Sequence, residues 1–241
     1  MSEFPRPQSG LEKIINYKFK ESGYLTVALT HSSYSHEQRL RNRDSRCNER
    51  LEFLGDSVLA LTAAELLYDR YANRDEGDMT KMRAEIVCER ALAGFAVKIS
   101  LGEYLLLGVG EDKNGGRESK SILSDAFEAL LAAMYLDAGD EGLTVAKGFL
   151  LPFLSDELDR LEKLGRGHDY KTQLQQFIQQ DSSAKLDYVT VAEEGPDHNK
   201  TFWVEARMGS NIIGKGSGKT KREAEQNSAR EALTLFGEIK E

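Results

Sequence analysis

The sequence predicts two domains of different class, a larger all-α domain followed by a small α+β domain. The chain has 241 residues, enough for two ordinary domains, and 40% of them are hydrophobic, enough for a core in each. Before "LGRGHDY", 164–170, long Leu- and Ala-rich runs carry helical periodicity, whereas the runs after it alternate and are rich in β-forming residues. We therefore expect domains at 1–165 and 166–241, with a short glycine-containing linker near 164–168.

The first domain is predicted to consist of helices. Its first apolar run, "GYLTVALTHSSY", begins at Gly23, and longer helical patterns cover about 50–71, 78–99 and 121–139. These runs are poor in β-branched residues, so helices fit them better than strands. The glycines and charges of "GVGEDKNGGRESK", 108–120, predict a loop before the last helix.

The second domain is predicted to have the element order α-β-β-β-α. "DYKTQLQQFIQQ" carries a helical pattern, and 185–216 holds alternating runs that are broken by Gly-Pro, Gly-Ser and Gly-Lys turn signals. "TKREAEQNSAREALTLF" is helical again, with Thr220 as the predicted N-cap. We expect "FWV", 202–204, to lie in the sheet with one face in the core.

Composition and charge narrow the class of protein. The net charge of −8 argues against a protein that coats nucleic acid through bulk charge, although local basic patches stay open. Cys47 and Cys88 have no metal-type spacing and are interpreted as reduced thiols of a cytoplasmic protein. "MSEFPRPQSG" at the amino terminus lacks the apolar core of a signal peptide, and no apolar run approaches about 18 residues, so we expect no membrane segment.

Acidic side chains recur at helical spacing inside strongly apolar segments. Glu49, Glu52 and Asp56 stand at i, i+3 and i+7. Asp125 and Glu128 repeat the i, i+3 spacing in another helix. Unpaired carboxylates in such surroundings are costly unless something compensates for their charge. A divalent cation between the two helices would compensate, because carboxylate oxygens are the ligands that Mg²⁺ takes.

A structural explanation stays open for each acid taken alone. Acids at helix starts complement the helix dipole, and a sixth acid, Glu76, stands at a predicted turn before a helix. Ion pairs would also satisfy Glu49 or Glu76, and the candidate partners are Arg46, Arg50 and Arg74. Two acidic pairs in two apolar helices favour the metal site, and bound divalent ions can activate water for phosphodiester hydrolysis.

Four blocks of the first domain resemble the ribonuclease III family. "NERLEFLGDSVL" is similar to the family signature, and "LTHSSY", "DEGDMTKMRA" and "GGRESKSILSDAFEALLAAMYLD" resemble its other blocks in the same order. The resemblance implies an all-helical nuclease domain that forms a homodimer and cuts double-stranded RNA using Mg²⁺, for which Mn²⁺ can substitute. It also implies products with 5′-phosphates and short 3′ overhangs, and substrates such as ribosomal and messenger RNA precursors.

The resemblance assigns roles to all six acids. Three match the metal ligands of the family: Glu52, Asp125 and Glu128. Two match its catalytic acids: Asp56 and Glu128. Two match acids with a supporting role: Glu49 and Glu76. Because every one of the six is present, the sequence shows no sign of a decayed enzyme.

Two other residues of this domain have both a structural and a functional interpretation. Phe53 lies between the acids, where it either packs in the core or, as the resemblance implies, projects into a pocket of the partner subunit. His31 invites a catalytic role, but a histidine near a helix end is more often hydrogen-bonded within the structure. Metal-activated water needs no histidine base, so we expect a structural His31.

Positive charge in the second domain is concentrated in one stretch. Lys200 to Arg222 contains six Lys or Arg and a single acid. Without context, such a run is most often a solvated face. It is not a nucleotide-binding phosphate loop, because the glycine required five places before Gly218 is Ile213. We expect no nucleotide cofactor.

The same stretch resembles the third block of a double-stranded RNA-binding domain. "DYKTQLQQFIQ" and "GPDHNKTFWVEARM" resemble the first two blocks. Such modules contact the phosphates and 2′-hydroxyls of A-form RNA and recognise its shape. The positions carried over as RNA contacts are Thr172, Gln175, Gln176, His198, Lys219, Thr220, Lys221 and Arg222. For Gln175 and His198, exposure without a ligand remains the alternative.

Two rival functions stay open at this point. The chain could be a double-stranded RNA-binding regulator whose nuclease domain serves only for dimerisation, although the complete set of acids argues against this. A nucleotide pyrophosphohydrolase also uses acidic helices with Mg²⁺, but that function leaves the RNA-binding domain unexplained. We expect a homodimeric, Mg²⁺-dependent endoribonuclease that acts on double-stranded RNA.

Overall fold

The structure is a computed structural model, and the residues it describes are 4–72, 74–163, 170–181, 185–196 and 200–239. The chain divides into two compact units, residues 1–158 and 159–241. The linker predicted near 164–168 lies outside the described residues, so the predicted domain boundary stays a prediction. Within the described part of the chain, no helix combines the length and the apolar character needed to cross a membrane.

Regular structure in the described residues up to 163 is helical, which confirms the predicted class. The α-helices are α1 (Gln8–Ile14), α2 (Ser22–Ala28), α3 (Ser32–Leu40), α4 (Glu49–Arg70), α5 (Glu76–Ile86), α6 (Glu89–Lys98), α7 (Val109–Lys113), α8 (Lys120–Ala138) and α9 (Gly142–Lys163). Short 3-10 turns at Leu101–Tyr104, Gly116–Glu118 and Gly139–Glu141 lie between the later helices.

The core of the helical unit is built around α8. Thirteen of its 19 residues are buried, because its sequence is apolar on almost every face. Helices α2, α4 and α6 pack against it. The ring of Phe127 lies 5.7 Å from the rings of Phe95, Phe149 and Phe153. This packing fixes the helix that carries Asp125 and Glu128.

The prediction of one helix over 78–99 is wrong, because α5 and α6 divide this segment. Cys88 has an extended backbone, with φ −70° and ψ 156°, and is the N-cap of α6. Helix α5 therefore ends at Ile86. Neither glycine nor proline stands at this break, so the hydrophobic periodicity runs through it without a stop signal.

The segment 108–120, predicted as a loop, contains α7 and a 3-10 turn. The guanidinium of Arg117 donates hydrogen bonds to the carbonyl oxygens of Gly102 and Leu105, at 2.9 and 3.0 Å. Arg117 also forms an ion pair with Asp112 at 2.7 Å. These contacts give order to a glycine-rich, charged sequence and hold the chain where it enters α8.

From residue 170 onward, the described part of the second unit has the predicted order α-β-β-β-α. Its elements are α10 (Tyr170–Asp181), β1 (Leu186–Glu194), β2 (Thr201–Met208), β3 (Asn211–Gly218) and α11 (Lys221–Leu235). The sheet is antiparallel with the order β1-β2-β3. Val204 is buried and Trp203 is exposed on the opposite face, as the strand alternation predicted. Leu174, Ile178, Ala206, Ala229 and Leu233 are part of the core.

Alternate glycines in β3 allow α11 to approach the sheet closely. A Cβ at Gly214 would lie 2.2 Å from the carbonyl oxygen of Ser228, and one at Gly216 would lie 2.2 Å from the Ser228 nitrogen. Gly218 follows at the same spacing and meets Glu223 and Ala224. Since residues at i, i+2 and i+4 of a strand share one face, the glycines of "GKGSGK" serve helix packing rather than nucleotide binding.

Candidate metal centre and nucleic-acid-binding surface

Helices α4 and α8 meet at Gly55. A Cβ on Gly55 would lie 1.9 Å from the carbonyl oxygen of Glu128, so the contact has no room for a side chain. Glu52 and Asp56 precede and follow this contact on α4, which brings them close to Glu128. The sequence interpretation did not include Gly55. A glycine inside an otherwise strong helical pattern is the signal that could have identified it.

Glu52, Asp125 and Glu128 form a carboxylate cluster at this crossing. Each contributes one oxygen, and the three oxygens lie within 4.8 Å of one another. All three residues are half-buried. Across the described residues, no ion pair or hydrogen bond satisfies any of these carboxylates. The structure thus brings together the three predicted metal ligands, while their role as ligands stays a prediction.

The donor set of this cluster suits a hard divalent cation. Octahedral Mg²⁺ holds oxygens at about 2.1 Å, so its ligand oxygens stand roughly 3 to 4 Å apart. Small side-chain movements reach that spacing from the arrangement observed. The three grouped residues offer only carboxylate oxygens, without the histidine or cysteine ligands that favour zinc.

Mutual repulsion and burial change the titration of the cluster. Burial, and after it the charges of three neighbouring carboxylates, raises the pKa of Glu128 from 4.5 to about 8. Burial and the charge of Asp125 also raise the pKa of Glu52. Burial raises the pKa of Asp125, which the charge of His31 opposes. A bound cation would relieve the repulsion that these shifts reflect.

The raised pKa of Glu128 predicts that the cation-free protein loses stability as the pH rises. The unfolded chain releases this proton near the ordinary value of 4.5, whereas the folded chain keeps it up to about 8. The stabilisation is therefore complete below pH 4.5 and is lost by pH 8. After allowance for solvent screening, we expect a loss of about 2 kcal/mol, or about 5 °C in the thermal midpoint.

Thermal melts in chelator test this pH dependence. The variant Glu128→Gln should show a smaller fall in the midpoint than the wild type, because it carries no titrating group at this position. Mg²⁺ should restore the wild-type midpoint at pH 8 and leave the variant less affected. Identical pH profiles for the two proteins would contradict the buried, raised pKa.

A methyl group at Gly55 is expected to disrupt the helix crossing. Gly55→Ala gains helix propensity, but its Cβ must push α8 away from α4, which we expect to cost about 3 kcal/mol. Mg²⁺ binding should weaken in parallel, as measured by calorimetry. The matched control is Gly94→Ala on α6, where a Cβ meets nothing within 4 Å. That variant should be neutral or slightly stabilised, and equal effects at both positions would refute the role of close packing.

Asp56 and Glu49 lie beside the cluster. Asp56 is exposed on α4, and its charge contributes to the raised pKa of Glu128. Glu49 is exposed at the first position of α4. The arginine partners considered for Glu49 are not used, since neither Arg46 nor Arg50 pairs with it in the described structure. Both acids keep their predicted functional roles as predictions.

Glu76 does not join the cluster within this chain. It lies at the start of α5 and accepts a hydrogen bond from the Thr80 hydroxyl at 3.0 Å. Together with Tyr68 it lines a groove of about 700 Å³ between α4 and α5. Arg74, considered as its partner, forms an ion pair with Asp78 at 3.8 Å. The predicted supporting role of Glu76 stays a prediction.

His31 has the hydrogen-bonded environment that was expected of a structural residue. It is the N-cap of α3, and its Nδ1 accepts the backbone N–H of Ser33 at 3.3 Å. The Ser33 hydroxyl in turn accepts the backbone N–H of Gly108 at 2.9 Å. His31 therefore belongs to a network that fastens the start of α7 to α3.

In the second unit, helix α10 presents polar residues on one face. Thr172, Gln175 and Gln176 are exposed at spacing i, i+3 and i+4. Leu174 and Ile178 are buried on the opposite face. The three polar side chains are thus accessible together, as RNA contacts would require, and their contact with RNA stays a prediction.

The start of α11 is a capped helix end. The Thr220 hydroxyl accepts the backbone N–H of Glu223 at 3.1 Å, and the Glu223 carboxylate accepts the backbone N–H of Lys219 at 2.7 Å. Thr220 is therefore the N-cap of α11, as the sequence predicted. Its contact with RNA stays a prediction. His198, the RNA contact predicted between two strands, lies outside the described residues.

Glu193 of β1 occupies the basic surface beside α11. One carboxylate oxygen lies 2.9 Å from Nζ of Lys221, and the other lies 3.6 Å from Nζ of Lys200. The hydrogen bond from Lys221 lowers the pKa of Glu193, so this carboxylate is ionised at neutral pH. Arg222 is exposed and has no side-chain partner among the described residues. A phosphate that bound the two lysines would have to displace Glu193.

Comparison with known proteins finds matches for both units. Family models described as "Ribonuclease-III-like" and "Double-stranded RNA binding motif" match residues 21–158 and 170–235. The chain is 47% identical to ribonuclease 3 of Caldanaerobacter subterraneus subsp. tengcongensis, over 95% of this chain and 98% of that protein. It is 44% identical to ribonuclease 3 of Pelotomaculum thermopropionicum, over 92% of this chain and 90% of that protein.

A solved structure resembles the helical unit. The nuclease domain of ribonuclease III from Campylobacter jejuni shares 40% sequence identity with this chain, and the TM-score is 0.56. The match covers 63% of this chain and 98% of the Campylobacter chain. That structure is described as showing flexibility in a region involved in dimer formation.

Proposed function

Because the chain belongs to the ribonuclease III family, we propose that Mg²⁺ bound by Glu52, Asp125 and Glu128 supports its cleavage of double-stranded RNA. The chain is an endoribonuclease that carries a double-stranded RNA-binding domain. The observation that carries the metal proposal is a cluster of three half-buried carboxylates, unsatisfied by any described residue. The donor set favours Mg²⁺, for which Mn²⁺ would substitute.

The side chains of the site divide the chemical work between them. A divalent cation bound there would supply positive charge that activates water and stabilises the charge developing on the phosphate. Glu52, Asp125 and Glu128 would hold and orient this cation. Asp56, which is exposed and whose charge acts on Glu128, would accept a proton from the attacking water. The water oxygen would bond to phosphorus as the bond to the 3′ oxygen breaks, and the departing 3′ oxygen would take a proton from solvent. The products then carry a 5′-phosphate and a 3′-hydroxyl.

The exposed face of α4 supports a homodimer. Phe53, Leu61 and Tyr68 lie along this one face and are 79%, 47% and 73% exposed. A row of exposed apolar side chains on one face is typical of a protein–protein contact. Tyr68 also borders the groove between α4 and α5. Two copies of α4 packed antiparallel about a two-fold axis would place each Phe53 against the groove of the other subunit. Both active sites would then face one duplex and cut both strands.

Replacing Phe53 with a charged residue should dissociate the dimer. Phe53→Glu places a charge in the groove of the partner subunit, and we expect dimerisation to weaken about 100-fold or more. Sedimentation velocity measures the shift towards monomer. The matched control is Val97→Glu on α6, where another apolar side chain is 64% exposed outside this face. An unchanged dimer for Phe53→Glu would refute the assigned interface.

Cleavage of an end-labelled RNA duplex tests the proposed function. Single-stranded RNA of the same sequence and chelator in place of Mg²⁺ serve as controls. We expect metal-dependent cutting of the duplex alone, with paired breaks offset by short 3′ overhangs. Tight duplex binding without cutting in Mg²⁺ or Mn²⁺ would instead identify an RNA-binding regulator. By family analogy, we propose ribosomal and messenger RNA precursors in the cytoplasm as the natural substrates.

A further inference from the structure

Segment 39–50, which we call the arginine segment, concentrates positive charge in an acidic protein. Its five arginines are Arg39, Arg41, Arg43, Arg46 and Arg50. The segment contains only two acidic residues, so positive charge is in excess there. In the whole chain, by contrast, 40 Asp and Glu outnumber 32 Lys and Arg. The arginine segment is therefore a local cationic surface that the overall composition conceals.

The arginine segment is held in a defined conformation. The Ser45 hydroxyl lies 3.1 Å from the Ser35 hydroxyl on α3. The backbone N–H of Asn48 donates to the carbonyl oxygen of Thr30 at 2.9 Å. These contacts fasten the second half of the segment to α3 and to the chain that precedes it. Binding of a ligand would therefore need little ordering of this backbone.

Four guanidinium groups of the arginine segment are available to a ligand. These side chains are exposed, and none of them forms an ion pair or hydrogen bond with a described residue: Arg39, Arg41, Arg46 and Arg50. By contrast, Arg117 of the same unit pairs with Asp112 at 2.7 Å, and Arg6 pairs with Glu103 at 2.6 Å. Arginine binds phosphate through two parallel hydrogen bonds, so this set is suited to a polyanion.

The position of the arginine segment relates it to the carboxylate cluster. Its last two residues, Glu49 and Arg50, begin α4, and the first turn of this helix also carries Glu52. A polyanionic substrate that approaches five carboxylates in and around the cluster meets strong repulsion, which the charge of a bound cation offsets only locally. Adjacent arginines would offset the remaining repulsion and hold the backbone on either side of the reacting phosphate.

We propose that the arginine segment binds the phosphate backbone of the RNA duplex next to the carboxylate cluster. This inference rests on the proposed function, and it adds a substrate contact in the nuclease unit to those expected from the RNA-binding domain. Contacts with phosphate are independent of sequence, so the segment contributes to affinity and to placement of the scissile bond. Its loss should reduce kcat/KM for every duplex to a similar degree.

The test replaces three of the available arginines in the full chain and leaves Arg50, next to the metal ligands, intact. The variant is Arg39→Gln/Arg41→Gln/Arg46→Gln. We expect kcat/KM for duplex cleavage to fall about 10-fold or more, and its slope against log salt to flatten by about 2 to 3. Mg²⁺ affinity in calorimetry should stay unchanged, which separates substrate contact from damage to the metal centre. The corresponding triple Arg→Lys variant should keep most of the salt slope.

Lys13→Gln/Lys18→Gln/Lys113→Gln provides the matched control. These lysines are also exposed in the helical unit and have no side-chain partner among its described residues. A wild-type rate and slope in the arginine variant would overturn the proposed contact and point to another partner, such as an acidic protein. Equal losses in both variants would overturn it in favour of bulk charge. A wild type that fails to cut duplex in Mg²⁺ would instead refute the proposed function itself.

Discussion

Glu128→Gln is expected to abolish cleavage of the RNA duplex and leave RNA binding intact. The substitution keeps the shape of the side chain but removes the anionic oxygens that we propose as a metal ligand. We expect kcat to fall about 1,000-fold or more, equivalent to roughly 4 kcal/mol of barrier. Duplex affinity should stay within about twofold, because the predicted RNA contacts of the second unit are untouched. Single-turnover cleavage and a gel-shift titration on the same preparation measure the two quantities.

The matched control is Glu141→Gln, the same chemical change at an exposed acid on the turn after α8. It should cleave at the wild-type rate. Unchanged cleavage by Glu128→Gln would show that the cluster is structural and would exclude the proposed metal chemistry. Loss of activity in both variants would show that the assay responds to net charge rather than to the cluster.

Lys221→Glu/Arg222→Glu is expected to weaken duplex binding about 100-fold or more. Both side chains are exposed at the start of α11, where the helix dipole and the two cations together attract phosphate. Each lost phosphate contact should reduce the slope of log affinity against log salt by about 0.9. The loss should be similar for duplexes of unrelated sequence, because phosphate contacts carry no base information. Fluorescence anisotropy over a range of salt concentrations provides these measurements.

Glu193→Gln, at the same surface, should instead strengthen duplex binding. The neutral amide frees Lys221 and Lys200 from the carboxylate that holds them at 2.9 and 3.6 Å. We expect duplex affinity to rise about threefold, because phosphate no longer has to displace the Glu193 carboxylate from the two lysines. The slope of log affinity against log salt should steepen, since both lysines are then available to phosphate. Wild-type duplex affinity in the Lys221→Glu/Arg222→Glu variant would refute the assigned RNA surface. Unchanged affinity in Glu193→Gln would show that this carboxylate does not compete with RNA.

Much of the architecture follows from local sequence patterns. Leu- and Ala-rich helical runs, then alternating strands with glycine turns, predicted an all-α unit followed by an α-β-β-β-α unit, as observed. The spacing of the acids placed Glu52 on one helix and the pair Asp125 and Glu128 on another. Spacing could not show that the two helices touch, since that depends on contacts distant in the chain.

The sequence by itself therefore determined the class and order of the elements, the family, and the residue types available for chemistry. Only the tertiary structure decided which of those residues meet. Gly55 allows α4 to contact the backbone of α8, and this contact gathers Glu52, Asp125 and Glu128 while leaving Glu76 in a separate groove. The physical reason is that helix periodicity is a property of neighbouring residues, whereas close packing and charge pairing, as between Glu193 and Lys221, arise between residues far apart in the sequence.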